Sequence, residues 1–184
     1  MNYLVSGVAP QRLGNSHPNI VPYQDFPTSD GYMIIAVGND AQFSRLCAEL
    51  DLSELAQDPR FVRNQDRVAN RQALVEQLCS ATLKRPTADW VRRLEGAGVP
   101  CGPINTIDAV FDDPQVQARE MRISMPHPSA GAVDLVASPL RLSKTPASYR
   151  LAPPTLGAQT REVLGDLLGL SSAEIDDLAA RGII

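Results

Sequence analysis

An α+β fold is the expectation for this chain, because short extended runs and longer helical stripes occupy different stretches of it. The apolar run ending at Val37 in YQDFPTSDGYMIIAV is too brief for a helix and follows a turn centred on Ser29-Asp30-Gly31. Apolar residues then recur at helical spacing in several later segments. A second pair of extended runs, Ile123–Pro126 and Val133–Leu142, brackets HPSAGA and predicts another hairpin.

The elements follow in order. GNSHPNIVPYQDF, from Gly14 to Phe26, cannot be helical, since Pro18 and Pro22 lack backbone donors and push the residues before them toward extended geometry. A hairpin over 23–37 comes next. It feeds through Gly38-Asn39-Asp40 into a helix whose stripe is Phe43, Leu46, Cys47 and Leu50. DPRF at 58–61 is a turn, and a helix is predicted over Asn70–Leu83 with Leu74, Val75, Leu78 and Cys79 inward. Thr87 is the expected cap of a third helix carrying Trp90, Val91 and Leu94, which ends in the glycines of EGAGVP. VPCGPI is too rich in Pro and Gly for regular structure. Thr106 and Asp113-Pro114 open two short helices.

Beyond Ser138, SPLRLSKTPASYRLAPPTLG holds four prolines in twenty residues and shows no apolar periodicity, so it reads as an arm lying over a surface. Two helices close the chain. The first carries Val163, Leu164, Leu167 and Leu168; the second opens with the capping box Ser171-x-x-Glu174, buries Ile175 and Leu178, and stops at Gly182.

Composition narrows the function classes. With 184 residues and 43% apolar content the chain can build a core, and a net charge of −4 with scattered basic residues offers no stripe for a phosphate backbone. A nucleic-acid partner is not expected. The N-terminal residues lack the basic and apolar regions of a signal peptide, and no apolar run approaches the ~20 residues of a membrane span. No membrane association is expected, and a cytoplasmic location is. Cys47, Cys79 and Cys101 form neither a disulfide framework nor a C-x-x-C pair and read as structural thiols, Cys101 being the one placed in a loop. No metal site, dinucleotide fingerprint or P-loop is present.

Taken together, RLGNSHPNIVPYQDFPTSDGYMIIAVGNDAQFSRLC, DPRF, NR, GVPCGPI, SPLRLSKTP, PPTLG and EIDDLAARGII resemble the C-terminal half of family III CoA-transferases. This is the CaiB/BaiF-type group of formyl-CoA and carnitine CoA-transferases and α-methylacyl-CoA racemases. The resemblance implies that residues 1–23 are an inter-domain linker bordering an acyl-CoA cleft and that 24–135 form a small α+β domain. It also implies that 136–184 are a proline-rich linker and C-terminal helical tail returning to a large doubly wound domain, which is absent from this chain. Complete members interlock as homodimers.

The implied activity is transfer of CoA between an acyl-CoA and a carboxylic acid, with the coenzyme A thioester as substrate and no permanently bound cofactor. In the family the nucleophile is an aspartate of the large domain. That residue is expected upstream of Met1, so no catalytic residue is assigned here and the chain alone is expected to lack turnover. Self-association or a large-domain partner is expected. The alternatives are a non-catalytic assembly subunit of a split CoA-transferase and a portion of an α-methylacyl-CoA racemase.

Asn15, His17, Tyr23, Gly38, Asn39 and Asp40 are the candidate substrate-binding residues. Gly38-Asn39-Asp40 lies where a strand ends and a helix begins, and free backbone N–H groups there favour an anion or a carbonyl oxygen. Asp40 falls where related racemases place an acidic residue, which implies an auxiliary acidic role; it is also a natural cap for the helix that follows.

Overall fold

The computed structural model describes residues 2–184 and divides into two units, one ending at Thr106 and the other spanning Ile107–Ile184. Ahead of the first sheet lies one helical turn, α1 (Asn2–Ser6), with no buried residue, and then a segment without strand or helix as far as Pro22. Period-two burial builds the sheet. β1 (Tyr23–Pro27) and β2 (Tyr32–Ala36) pair antiparallel with Phe26 opposite Met33. Phe26, Met33 and Ile35 are fully buried on one face while Tyr23 and Tyr32 are exposed, the alternation of a sheet covered on one side.

β3 (Cys101–Pro103) adds to the other side of β2 and corrects the expectation that VPCGPI lacks regular structure. Its prolines are tolerated because β3 is an edge strand. Pro100 lends only its carbonyl, to Ala36 N–H (2.9 Å), and Ile104 N–H reaches Tyr32 C=O (2.9 Å). The bonded pairs therefore fall on even positions of this segment. The nitrogen of Pro103 faces the open edge, where no donor is required.

α2 (Asp40–Glu49) buries Phe43, Leu46 and Cys47, with Leu50 just beyond, as the apolar stripe predicts. After a 3-10 turn at Ser53–Ala56 and the buried Phe61, the expected helix stands as α4 (Arg71–Thr82), and a short helix that the sequence did not announce, α3 (Asn64–Ala69), precedes it. The break is at Asn70 (φ −110, ψ 27), whose side-chain amide donates to Asp66 C=O (2.9 Å). Such local side-chain bonding competes with helix continuation. Leu74 and Leu78 are buried, and Val75 and Cys79 pack at the rim of the same core.

α5 (Thr87–Gly96) brings Trp90 and Leu94 into that core, and Trp90 Nε1–H is satisfied by Thr82 C=O (2.6 Å). Thr87 is not the cap. Pro86 holds that position without a side-chain bond, and Asp30 Oδ1 accepts from Thr87 N–H (2.8 Å) instead.

In the second unit, α6 (Ile107–Asp112) precedes α7 (Pro114–Ala118), which Asp113 caps by accepting from Gln115 and Val116 N–H (2.8 and 3.1 Å). β4 (Arg122–His127) and β5 (Gly131–Val136) form the second hairpin, with β5 stopping short of the expected Leu142. The arm that follows has no strand or helix until α8 (Thr160–Glu162), which runs into a π-type turn at Val163–Leu167. α9 (Ser172–Ala180) begins with the predicted Ser171–Glu174 capping box. Ile175 is buried, whereas Val163, Leu167 and Leu168 are exposed.

Candidate functional site

Polar side chains fix the segment that leads into β1. His17 N–H donates to Tyr23 C=O (2.9 Å), and the two rings stack with centroids 5.3 Å apart and planes 15° from parallel. Nδ1 of His17 accepts from Asn19 N–H (3.1 Å). In the neutral ring the proton therefore sits on Nε2, which is a hydrogen-bond donor.

Three side chains at i, i+3 and i+7 hold the same segment from one side. Asn64 accepts from Val21 N–H (3.1 Å) and donates to Asn19 C=O (2.8 Å). Arg71 Nη2 donates to His17 C=O (2.7 Å) and Pro18 C=O (3.1 Å). Arg67 is fully buried, and its guanidinium reaches three parts of the chain. Nε donates to Val21 C=O (2.6 Å), Nη1 to Phe61 and Val62 C=O (2.9 and 3.2 Å), and Nη2 to Asp40 Oδ1 (2.8 Å). The plane lies 4.4 Å over the Phe43 ring. Burying a charge costs several kcal/mol unless it is paired and hydrogen-bonded, and here each of the three guanidinium nitrogens finds an acceptor.

Asp40 is thus the partner of a buried cation. It does not cap α2: Asn39 does, its Oδ1 accepting from Gln42 N–H (2.9 Å), while Gln42 Oε1 accepts from Gly38 N–H (2.7 Å). The expected free amide at Gly38 is consequently occupied. Asn39 prevails because its position, one residue earlier, has the extended backbone a cap needs (φ −156, ψ 168). Asp40 is the first helical residue, and its side chain is 56% exposed, so the carboxylate stays open to solvent beside Arg67.

The candidates therefore fall into two groups. His17 and Tyr23 form one, Gly38, Asn39 and Asp40 the other, and Arg67 ties Asp40 to the end of the segment that carries His17. Asn15 is exposed in the turn closed by Ser16 N–H and Leu13 C=O (3.1 Å) and joins neither. Sequence reasoning missed Gln42, Asn64 and Arg67, and met Arg71 only within NR. The available signal was the polar spacing Asn64-x-x-Arg67-x-x-x-Arg71 in a region whose apolar stripe begins later, at Leu74.

The surroundings of Cys101 do not activate its thiol. It lies in β3 with Sγ donating to Val91 C=O (3.8 Å), and burial, then the nearby Glu95, raises its pKa. Among the described residues no group of His, Cys, Asp or Glu is placed to hold a metal ion, and no helix is long and apolar enough to cross a membrane.

The sequence profile described as CoA-transferase family III matches residues 1–160. The chain is 44% identical over 91% of its length to a succinate–glutarate CoA-transferase from Agrobacterium fabrum, covering 42% of that protein. It is 38% identical over its whole length to a succinyl-CoA:glutarate CoA-transferase from Mus musculus, again covering 42% of the relative. A crystal structure of a CaiB/BaiF family protein from Brucella suis superposes with a TM-score of 0.75 at 43% identity, over 90% of this chain and 43% of the other. The chain spans less than half the length of the relatives it matches. With the family profile covering residues 1–160, most of the sequence, this chain belongs to CoA-transferase family III.

Proposed function

We propose that this chain supplies the small domain and C-terminal segment of an enzyme that moves CoA from an acyl-CoA to a carboxylic acid. The substrates are of the succinyl-CoA and C5 dicarboxylate class. The observation that carries the reading is the 44% identity over nearly the whole chain to a protein described as a succinate–glutarate CoA-transferase. The geometry is consistent with an auxiliary part in that chemistry. His17 is a donor of fixed tautomer, and Asp40 is an exposed carboxylate beside a buried guanidinium.

In this reading the nucleophilic carboxylate comes from the large domain of the family, outside these residues, and attacks the thioester to release CoA and leave an acyl–enzyme anhydride. Asp40 does not take that role. Its Oδ1 is committed to Arg67, which stabilises the carboxylate without making it a better nucleophile.

The test uses the protein with succinyl-CoA and glutarate, followed by hydroxylamine trapping and mass spectrometry. The chain alone is expected to form no acyl adduct and no glutaryl-CoA. Fused to the remaining part of the Agrobacterium fabrum relative, it is expected to support both. An adduct on a carboxylate of this chain overturns the proposal, as does a well-folded fusion that binds CoA thioester and never turns it over.

A further inference from the structure

We propose that Arg67 and Arg71 are positioning residues with different chemical demands: Arg67 joins the His17–Val21 segment and the Asp40 carboxylate into one unit that only a guanidinium can hold, whereas Arg71 acts as a point donor that an ammonium can replace. The bond directions carry the distinction. Arg67 uses all three of its nitrogens, on acceptors from three separate stretches of chain: Val21, Phe61-Val62 and Asp40. A lysine presents its donors from one atom at the end of a flexible stem and cannot reproduce that spread. It would also lose the flat face that lies over Phe43.

Arg71 is used differently. Both of its hydrogen bonds leave from Nη2, to the adjacent carbonyls of His17 and Pro18, and its Nη1 is buried with no hydrogen-bond partner. A compact ammonium placed where Nη2 lies can serve both carbonyls and carries no second nitrogen to desolvate. Arg-to-Lys exchange should therefore be harmful at one position and tolerated at the other, four residues on and across the helix break at Asn70.

The segment is held as a unit. Val21 is bonded at its N–H by Asn64 and at its C=O by Arg67, and Asn19 N–H rests on His17 Nδ1. Releasing the His17 and Pro18 carbonyls loosens the backbone on which the Asn19–His17 bond, and with it the histidine tautomer, depends. Releasing Val21 C=O at Arg67 simultaneously frees Asp40. This structural claim stands on hydrogen bonds alone. Its functional half, that His17 and Asp40 must be presented together to a thioester, rests on the CoA-transferase reading above.

The experiment compares wild type, Arg67→Lys, Arg71→Lys and Arg71→Met in isotope-labelled protein. It reads amide exchange at Asn19 and Val21 together with the imidazole nitrogen shifts of His17, which report the tautomer. Arg71→Lys is expected to keep wild-type exchange and the Nε2–H tautomer. Arg71→Met is expected to raise exchange at Asn19 by about tenfold or more and to mix the tautomers, since charge-assisted bonds to two carbonyls are lost. Arg67→Lys is expected to raise exchange at Val21 by a similar factor, about tenfold, despite keeping the charge.

Equal loosening in Arg71→Lys and Arg71→Met overturns the point-donor assignment. Wild-type exchange in Arg67→Lys overturns the guanidinium requirement. Should Arg67→Lys not fold, the Arg71 pair still decides whether the clamp exists. In the fusion described above, Arg71→Met is expected to lower kcat by about tenfold while KM changes by less than about threefold, the pattern of a lost positioning interaction. Changed exchange with unchanged turnover retains the clamp and rejects the functional half.

Discussion

The carboxylate of Asp30, in the turn between β1 and β2, caps α5 across 57 residues of sequence, its Oδ1 accepting from the amide (2.8 Å) and the hydroxyl (2.9 Å) of Thr87. Thr28 Oγ1 donates to the same oxygen (3.1 Å). The Thr87 amide first, then the Thr87 hydroxyl, hold the Asp30 carboxyl below its usual pKa. A carboxylate depressed on folding contributes stability above its unfolded pKa of ~3.9 and loses that contribution as pH falls through the folded value. Asp30→Ala should therefore lower Tm near neutral pH, and the gap to wild type should shrink on acidification below about pH 4. Thermal melts followed by circular dichroism across that range check it; a gap independent of pH contradicts the assignment.

The buried guanidinium makes a separate stability prediction. Arg67→Met leaves Val21 and Phe61 C=O without their side-chain donor inside the core, and each buried acceptor stripped of its partner costs ~1–3 kcal/mol. A loss of about 3 kcal/mol or more is expected in urea unfolding. Asp40→Ala removes only the exposed partner of the pair and should cost no more than about 1 kcal/mol. Equal losses for the two variants would show that Asp40, rather than the carbonyls, supports the buried charge.

The contrast between these residues and the apolar stripes explains what could be read from the sequence. Phe43, Leu46, Cys47 and Leu50 were legible because helical periodicity is local, and Asp113-Pro114 and Ser171–Glu174 because a cap and its amides lie within one turn of each other. Arg67 was illegible because its acceptors lie 46 and 27 positions away, at Val21 and Asp40, and a cation on a short polar stretch looks like a solvated face. β3 was hidden for a different reason: proline and glycine argue against a central strand, and only the sheet order reveals that this one is an edge. Asn39 and Asp40 cap about equally well in isolation, so the choice between them needed the backbone angles and the side chain of Gln42.

Thiol reactivity follows from burial. Desolvation pushes the Cys47 pKa up to about 12 and also raises those of Cys79 and Cys101. Near pH 8 the Cys47 thiolate is then on the order of one molecule in ten thousand, and the thiolate is the reactive form. An aromatic disulfide reagent should modify Cys79 and Cys101 more slowly than free cysteine, and Cys47 only at the rate of unfolding. In guanidinium all three should react together. Rapid modification of Cys101 in the folded protein would contradict its reading as a structural thiol.

The tail supplies the last prediction, which depends on the CoA-transferase reading. Leu156 is completely exposed, Leu167 and Leu168 are 77% and 68% exposed, and Val163 is 43% exposed. Residues 154–160, Val163, Leu164 and Ile184 border an open groove of about 520 Å³. Covering such side chains is worth ~1.5–3 kcal/mol each when burial is complete, so the four together could supply on the order of 5 kcal/mol to an interface. Ile175 and the Ser171–Glu174 capping box hold α9 in shape, which leaves these leucines as surface rather than core. If they dock on the large domain of the family, Leu167→Glu should leave the Tm of this chain unchanged and reduce its self-association in light scattering. The same substitution in the fusion should weaken protection of the tail from protease and lower Tm by several degrees, as burying an unpaired carboxylate requires. A chain that is already monomeric and protease-resistant through the tail, with Leu167→Glu silent in the fusion, would show that these side chains need no partner.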